Sequence, residues 1–423
     1  MYVKRLRVKN YRSIKTLDLT FTKGKNVIVG KNNCGKSNIV KALDIILGEP
    51  SPTFHKSENI CENDFYNGQV NNPIYIYCEL SRDKDEKLNY DEIYKCIGFK
   101  YHVENKNYDR TRQQYIGTPV RHHIDPQSFW DTLECLMNID EEEVASIYVN
   151  PKLRHQASFE DQLNDKYCFA YIFKAYTTPS GRISKSIRFL YREDSEHGWI
   201  LSFTAPIRCE FLQSAILPSF RDPSLQLRIS SWTWYGKLLR QYINTDNEKL
   251  QKAFAELRDA SDDVFDSLKT EINNSQVKVA FPETEVSFQF NPETNIDIYK
   301  SALIYVDDGF NTLLQEKGSG IQSAVIIGLF HYYTTNIAHA ASSLLVVEEP
   351  ELYLHPQARR VISYRLTDFL ENGKNQVIVT THAPEFITSV HEDLNLIVIK
   401  KNQEEGSTSA NATITDIKEK QIF

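Results

Sequence analysis

The sequence has no excess of basic charge, no closely spaced cysteine pair and no long apolar run. Each absence removes a class of function. Its 49 Lys and Arg are outnumbered by 56 Asp and Glu, a formal net charge of −7. Such a chain is no general polyanion binder, and any contact with nucleic acid must use a local basic face. The seven cysteines (Cys34, Cys61, Cys78, Cys96, Cys135, Cys168 and Cys209) are odd in number and scattered, without a C-x-x-C pair. That argues against a disulfide framework and against a zinc site built on such pairs, and it fits a reducing cytoplasm. No apolar stretch reaches the roughly 18 residues of a membrane helix. The basic N-terminus (Lys4, Arg5, Arg7, Lys9) alternates with Val3, Leu6 and Val8, which predicts a strand and not a signal peptide. With only 16 Gly and 15 Pro, 41% hydrophobic and 25% charged residues, the composition is globular. A length of 423 residues leaves room for about two to three domains.

The pattern along the chain predicts an α/β fold. Strands are expected at 2–9, 16–22 and 25–30, the last ending on Gly30. A helix is expected from 35 to 47, because Ile39, Val40, Leu43, Ile46 and Leu47 fall on one face and Gly48 and Pro50 stop it. A strand follows at 73–80. The stretch 84–205 is polar and rich in Tyr and His, with short strand-like pieces such as 184–191. Residues 206–219 are apolar, and 220–245 carry a Trp-rich run. Apolar residues from Leu250 to Ile272 predict an amphipathic helix about 40 Å long. Strands return from about 277. A helix is expected at 321–337, buried parallel strands at 343–347 and 376–380 with a helix at 356–371 between them, and a strand at 394–400.

Residues 30–37 read Gly-Lys-Asn-Asn-Cys-Gly-Lys-Ser, the pattern G-x-x-x-x-G-K-[ST] between a strand and a helix. In such a loop, backbone N–H groups from Gly30, Lys31, Asn32, Asn33, Cys34 and Gly35 to Asn38 wrap a phosphate, and small residues allow the close approach. Lys36 supplies positive charge to the β- and γ-phosphates of ATP, and Ser37 offers a hydroxyl to Mg²⁺.

Residues 344–351 read Leu-Leu-Val-Val-Glu-Glu-Pro-Glu, a buried strand ending in carboxylates, where open α/β sheets bind their ligands. Glu348 is the expected Mg²⁺ ligand and Glu349 the expected general base for the attacking water. Taken alone, the same residues also suit a solvated acidic turn.

Together with Asn-Tyr-Arg-Ser-Ile at 10–14, Lys-Gly-Ser-Gly-Ile-Gln at 317–322, Glu-Glu-Pro-Glu-Leu-Tyr-Leu-His-Pro at 348–356 and Thr-Thr-His-Ala-Pro at 380–384, the chain resembles the ABC-type ATPase heads of the SMC, Rad50 and RecF class. More narrowly it resembles the ATPase part of OLD (overcoming lysogenization defect) nucleases. The resemblance implies an α/β head with a mixed β lobe and a parallel P-loop lobe. It implies parts 1–84 and 277–423 of that head around an insertion at 85–276, which includes a helical, dimerisation-like segment at 230–275. It places Arg12 near the nucleotide, with a surface ion pair as the alternative, and His382 at the γ-phosphate as a catalytic residue. Ser319, Gly320 and Gln322 become the signature loop that grips ATP held by a second copy. Ile321 stands where transporters carry a second glycine.

Two heads would thus sandwich ATP in a homodimer or higher oligomer. OLD nucleases also carry a metal-binding TOPRIM domain, for which the residues after 400 leave no room. The expected activity is therefore ATP hydrolysis without a nuclease centre, in a cytoplasmic protein that gates a separate nuclease or toxin subunit, as in anti-phage defence. A RecF-like repair ATPase that binds DNA is the alternative, as is a piece of a full OLD nuclease.

Two basic stretches mixed with aromatics suit nucleic acid, with a solvated strand face or a protein interface as the alternative: Arg182, Lys185, Arg188 and Arg192, and Lys100 to Arg121 with Tyr101, Tyr108 and Tyr115. Trp232, Trp234 and Tyr235 are expected in a core or dimer contact. His122 and His123 lack partners at ligand spacing.

Overall fold

The computed structural model describes residues 1–48, 60–81, 100–111, 114–140, 144–146, 168–192, 197–203, 212–218, 233–242, 303–307, 309–336, 342–352, 354–370, 375–387, 394–402 and 406–412, with a few single positions between them. They fall into two compact units, Met1–Gln226 with Gly318–Phe423, and Leu227–Lys317. The amphipathic stretch expected at 250–272 lies almost wholly outside the described residues.

The first unit begins with β1 (Tyr2–Tyr11), β2 (Ile14–Thr20), β3 (Gly24–Val29), α1 (Lys36–Leu47) and β4 (Ile74–Ser81). It continues with β5 (Lys100–Asp109), β6 (Gln114–Pro119), β7 (Arg121–His122), α2 (Phe129–Asn138), β8 (Val144–Ser146), β9 (Cys168–Thr177), β10 (Ile183–Arg192), β11 (Trp199–Ser202) and β12 (Leu212–Leu217). The second unit contains α3 (Trp234–Tyr242) and the hairpin of β13 (Tyr305–Asp307) and β14 (Asn311–Leu313). Trp234 and Tyr235 are buried there, in an edge-to-face contact at 5.7 Å. The chain returns to the first unit with α4 (Ser319–Asn336), β15 (Ser342–Glu348), α5 (Pro356–Asp368), β16 (Gln376–Thr380), β17 (Asn395–Asn402) and β18 (Gly406–Ala412).

One sheet runs in the order β12-β15-β16-β3-β17-β18-β2-β1-β4-β9-β10-β11-β5-β6. The first five strands are parallel and the rest pair antiparallel. The fold is thus α/β, with a parallel lobe grading into a mixed one. β15 and β16 are buried throughout and carry apolar runs, Leu344–Val347 and Val377–Val379, because both of their faces are covered. The core joins Ile39, Leu43 and Ile46 of α1 to Leu6 and Val8 of β1, Phe169 and Phe173 of β9, and Val346 and Ile378 of the parallel strands. On the opposite face, α2 buries Phe129, Leu133, Leu136 and Met137 against Tyr77, Ile172 and Leu190. Residues 100–202, expected within an insertion, supply strands of this same sheet. Among the described residues no helix is long and apolar enough to cross a membrane.

The parallel lobe sets the site. In register, Ile28 lies beside Thr380, and Thr380 beside Glu348. The carboxyl ends of β3, β16 and β15 therefore reach one level, the edge where α/β sheets hold ligands.

Candidate functional site

The loop from Gly30 to Gly35 leaves β3 and enters α1 through left-handed conformations at Asn33 (φ 62°) and Gly35 (φ 107°). A Cβ on Gly30 would lie 2.3 Å from the Ile399 carbonyl oxygen, and one on Gly35 would lie 2.4 Å from Ser407 Oγ. Both glycines are thus required by packing as well as by the turn. No side chain caps the start of α1 and no acidic residue occupies its first turn. The positive end of the helix dipole is left for an anion. Lys31, Asn32, Asn33 and Ser37 are exposed, whereas Cys34, Gly35 and Lys36 are buried.

Lys36 Nζ donates to the Gly30 carbonyl (3.0 Å), the Lys31 carbonyl (3.3 Å) and His382 Nε2 (2.8 Å). An ammonium only donates, so Nε2 is the acceptor in this contact. Glu349 Oε1 stands 3.7 Å from the same Nε2. Glu349 has φ 44°, a conformation that costs a non-glycine residue about 1–2 kcal/mol. Its N–H is anchored on the Thr380 carbonyl (2.8 Å) and on Thr380 Oγ1 (3.2 Å). The neighbouring Glu348 ends β15 and is 3% exposed.

The structure therefore brings together the P-loop, Glu348, Glu349 and His382. Ser37 and Glu348 offer a hydroxyl and a carboxylate, an all-oxygen set suited to a hard cation that completes its shell with water and phosphate oxygens. Among the described residues no cluster of three His, Cys, Asp or Glu would hold a metal alone.

Arg12 also lies at φ 51° and is engaged by Asp64, with Nε donating to Oδ1 at 2.7 Å and its N–H to the Asp64 carbonyl at 2.8 Å. The turn is tied to the P-loop helix one residue on, where Asn38 Nδ2 donates to Ser13 Oγ at 2.8 Å. Ser319, Gly320 and Gln322 form the first turn of α4. There the N–H groups of Ile321 and Gln322 donate to the Gly318 carbonyl, and Gln322 is buried.

Three contributors escaped the sequence reading. Glu351, 7% exposed, accepts from Thr381 Oγ1 at 2.8 Å and from the His382 N–H at 2.6 Å. It fixes the loop that carries the histidine; the only signal was its place in the Glu-Glu-Pro-Glu run. Thr381 is fully buried, and its N–H donates to the Ile28 carbonyl. Ser407, on a strand hidden in a polar tail, shares a 2.9 Å hydrogen bond with Ser13 Oγ and packs on Gly35.

A glycine loop, a buried lysine and two carboxylates at one end of the parallel strands make up a P-loop site on an α/β scaffold. Residues 1–387 match the AAA ATPase domain, and the chain belongs to that family. It is 24% identical over 406 residues to the OLD nuclease of Thermus scotoductus, covering 95% of this chain and 63% of that protein. It is 22% identical over 459 residues to endonuclease GajA of Bacillus cereus, covering 95% and 61%. The ATP/GTP phosphatase of Helicobacter pylori is 22% identical over 403 residues, covering 91% and 86%. The OLD resemblance carried by the motifs thus extends over nearly the whole chain, which spans less than two thirds of either nuclease.

Proposed function

We propose that the chain binds ATP in the P-loop and hydrolyses it, and that a second copy completes the site. The observation that carries this reading is the convergence of Lys36, His382 and Glu349 at the end of the parallel strands. The Lys36 ammonium has three N–H donors, and all three are already spent. A γ-phosphate can take one only by displacing a present acceptor. His382 is the displaceable one, since the two carbonyls belong to the loop itself. Phosphate binding would therefore release the imidazole from Lys36 and turn it toward the phosphate. Glu349, held by Thr380 beside that imidazole, would accept the proton of the attacking water. Ser37 and Glu348 would hold Mg²⁺, which supplies neutralisation of phosphate charge.

Ser319 and Gly320 begin a helix, where N–H groups favour an anion, and the Gln322 side chain follows one turn on. In this reading they meet the γ-phosphate of a second copy, so that closure depends on ATP. The names of two relatives give the effector reading its support: a nuclease acts when this dimer closes, either on a partner subunit or on further sequence. Equilibrium dialysis tests the first step. Wild-type chain is expected to take up ATP with Mg²⁺, and Lys36→Ala to lose it. The partner is tested by recovering ATP-loaded Glu349→Gln from its host and identifying what co-purifies by mass spectrometry. A stoichiometric nuclease or toxin supports gating in trans, and self-copies alone contradict it.

One observation favours direct DNA contact as a second reading. Tyr108 and Tyr115 are both about half exposed, meet edge-to-face at 5.1 Å on the β5–β6 hairpin, and carry Lys106 Nζ 4.8 Å above Tyr115. Such a pair suits base stacking beside a phosphate backbone. Salt-sensitive oligonucleotide binding that Tyr108→Ala abolishes would establish it.

A further inference from the structure

A cavity of about 330 Å³ opens on the face of the sheet that carries α2. None of its lining residues belongs to the P-loop, to β15 or to the loop after β16. Four cations reach it: Lys4, Arg5 and Arg7 of β1, and Arg192 at the end of β10. Alternation along β1 puts Leu6 and Val8 in the core beneath α1 and sends Arg5 and Arg7 to this side. Among the described lining residues Glu79 is the only carboxylate. Lys4 Nζ and Arg192 Nη2 share one of its oxygens, at 3.4 and 3.6 Å. Arg5 and Arg7 share Asp18 of β2, at 2.6–2.8 Å. Among the described residues two carboxylates thus hold four cations, in a chain whose net charge is −7.

The excess charge is held in place. The Arg7 guanidinium lies 3.9 Å from the centre of the Phe129 ring, and that of Arg192 lies 4.2 Å from the Trp199 ring. Stacked in this way, neither can swing freely into water. Arg192 Nε is buried and has no acceptor among the described residues. A buried charged donor without an acceptor is costly, and a ligand oxygen would relieve it. Guanidinium forks match the oxygens of a phosphate group two at a time. The volume falls at the small end of ligand cavities, and the aromatic faces are already covered by guanidinium. That favours a compact anion over a base-stacked strand.

We propose that this cavity is a second anion site, separate from the P-loop, that binds a small phosphate-bearing molecule through Arg7, Arg192 and Lys4. The probe is inorganic pyrophosphate, titrated calorimetrically into the full chain. Lys36→Ala silences the P-loop and is expected to leave about one pyrophosphate per chain. Adding Arg192→Gln is expected to weaken that remaining site at least about tenfold. Should the double variant not fold, tryptophan emission of the Lys36→Ala chain serves instead: pyrophosphate is expected to change it, and Trp199→Phe to remove most of the change. Three results would overturn the proposal. These are no uptake by Lys36→Ala, uptake indifferent to Arg192→Gln with no emission change, or displacement of pyrophosphate by a single-stranded oligonucleotide, which would assign the cavity to a nucleic-acid backbone.

Discussion

Lys36 and His382, 346 residues apart, share a 2.8 Å hydrogen bond from Nζ to Nε2. The lysine that should meet phosphate is thereby engaged by the residue that should sense it. Removing the imidazole frees one Lys36 donor for ligand. His382→Ala is expected to bind ATP as tightly as wild type or up to several-fold tighter, while turnover falls about 10–100-fold. Affinity and turnover measured together check this, and a parallel loss of both would contradict it.

Glu351 is expected to act through His382, whose N–H it holds, and not on phosphate. Glu351→Ala removes the acceptor of both the His382 N–H and the Thr381 hydroxyl and leaves buried donors unpaired, at about 1–3 kcal/mol each. Turnover is expected to drop about tenfold or more with KM little changed. Glu351→Gln, which keeps one accepting oxygen, is expected to recover part of it. Equal loss in both variants would speak against a positioning role.

Gly35 has no room for a side chain. In Gly35→Ala the new Cβ would meet Ser407 Oγ and Ser13 Oγ, at 2.4 and 2.8 Å, and φ is 107°. A loss of about 1–3 kcal/mol in stability is expected, with ATP affinity at least about tenfold weaker. Chemical denaturation and dialysis read the two effects.

His122 stacks on His102 with ring centres 5.0 Å apart. Burial first, and then the neighbouring His102 and His123, push its pKa down from 6.5 to about 4. Between those values the unfolded chain binds more protons than the folded one, so stability rises with pH there and is lost as pH falls from about 6.5 to 4. The slope from this one group approaches 1.4 kcal/mol per pH unit. His122→Asn is expected to flatten the stability profile in that window, and above pH 7 to shift it by a pH-independent amount set by the lost His102 contact.

The parallel lobe was legible because its residues answer to backbone constraints. Gly30 and Gly35 stand where no Cβ fits, and the apolar runs of β15 and β16 are those of strands covered on both faces. The helix expected at 35–47 forms as Lys36–Leu47, and the strand expected at 376–380 forms at those residues. Other elements were opaque for physical reasons. β18 is a run of small polar residues whose order comes from pairing with β17, so no local pattern marks it. β9 is buried almost throughout yet carries Lys174, satisfied by Asn138 of α2, a partner that only the fold supplies. Glu351 looked like one more acid in an acidic turn until β16 brought Thr381 and His382 to it.

The most direct test of the central claim is steady-state ATP turnover with Mg²⁺ by the wild-type chain, Lys36→Ala and Glu349→Gln, with bound nucleotide counted in the same samples. The expected result is turnover by wild type, neither binding nor turnover by Lys36→Ala, and full ATP occupancy with turnover at least about 100-fold slower by Glu349→Gln. Unchanged turnover in both variants would show that Lys36 and Glu349 do not form the hydrolytic site.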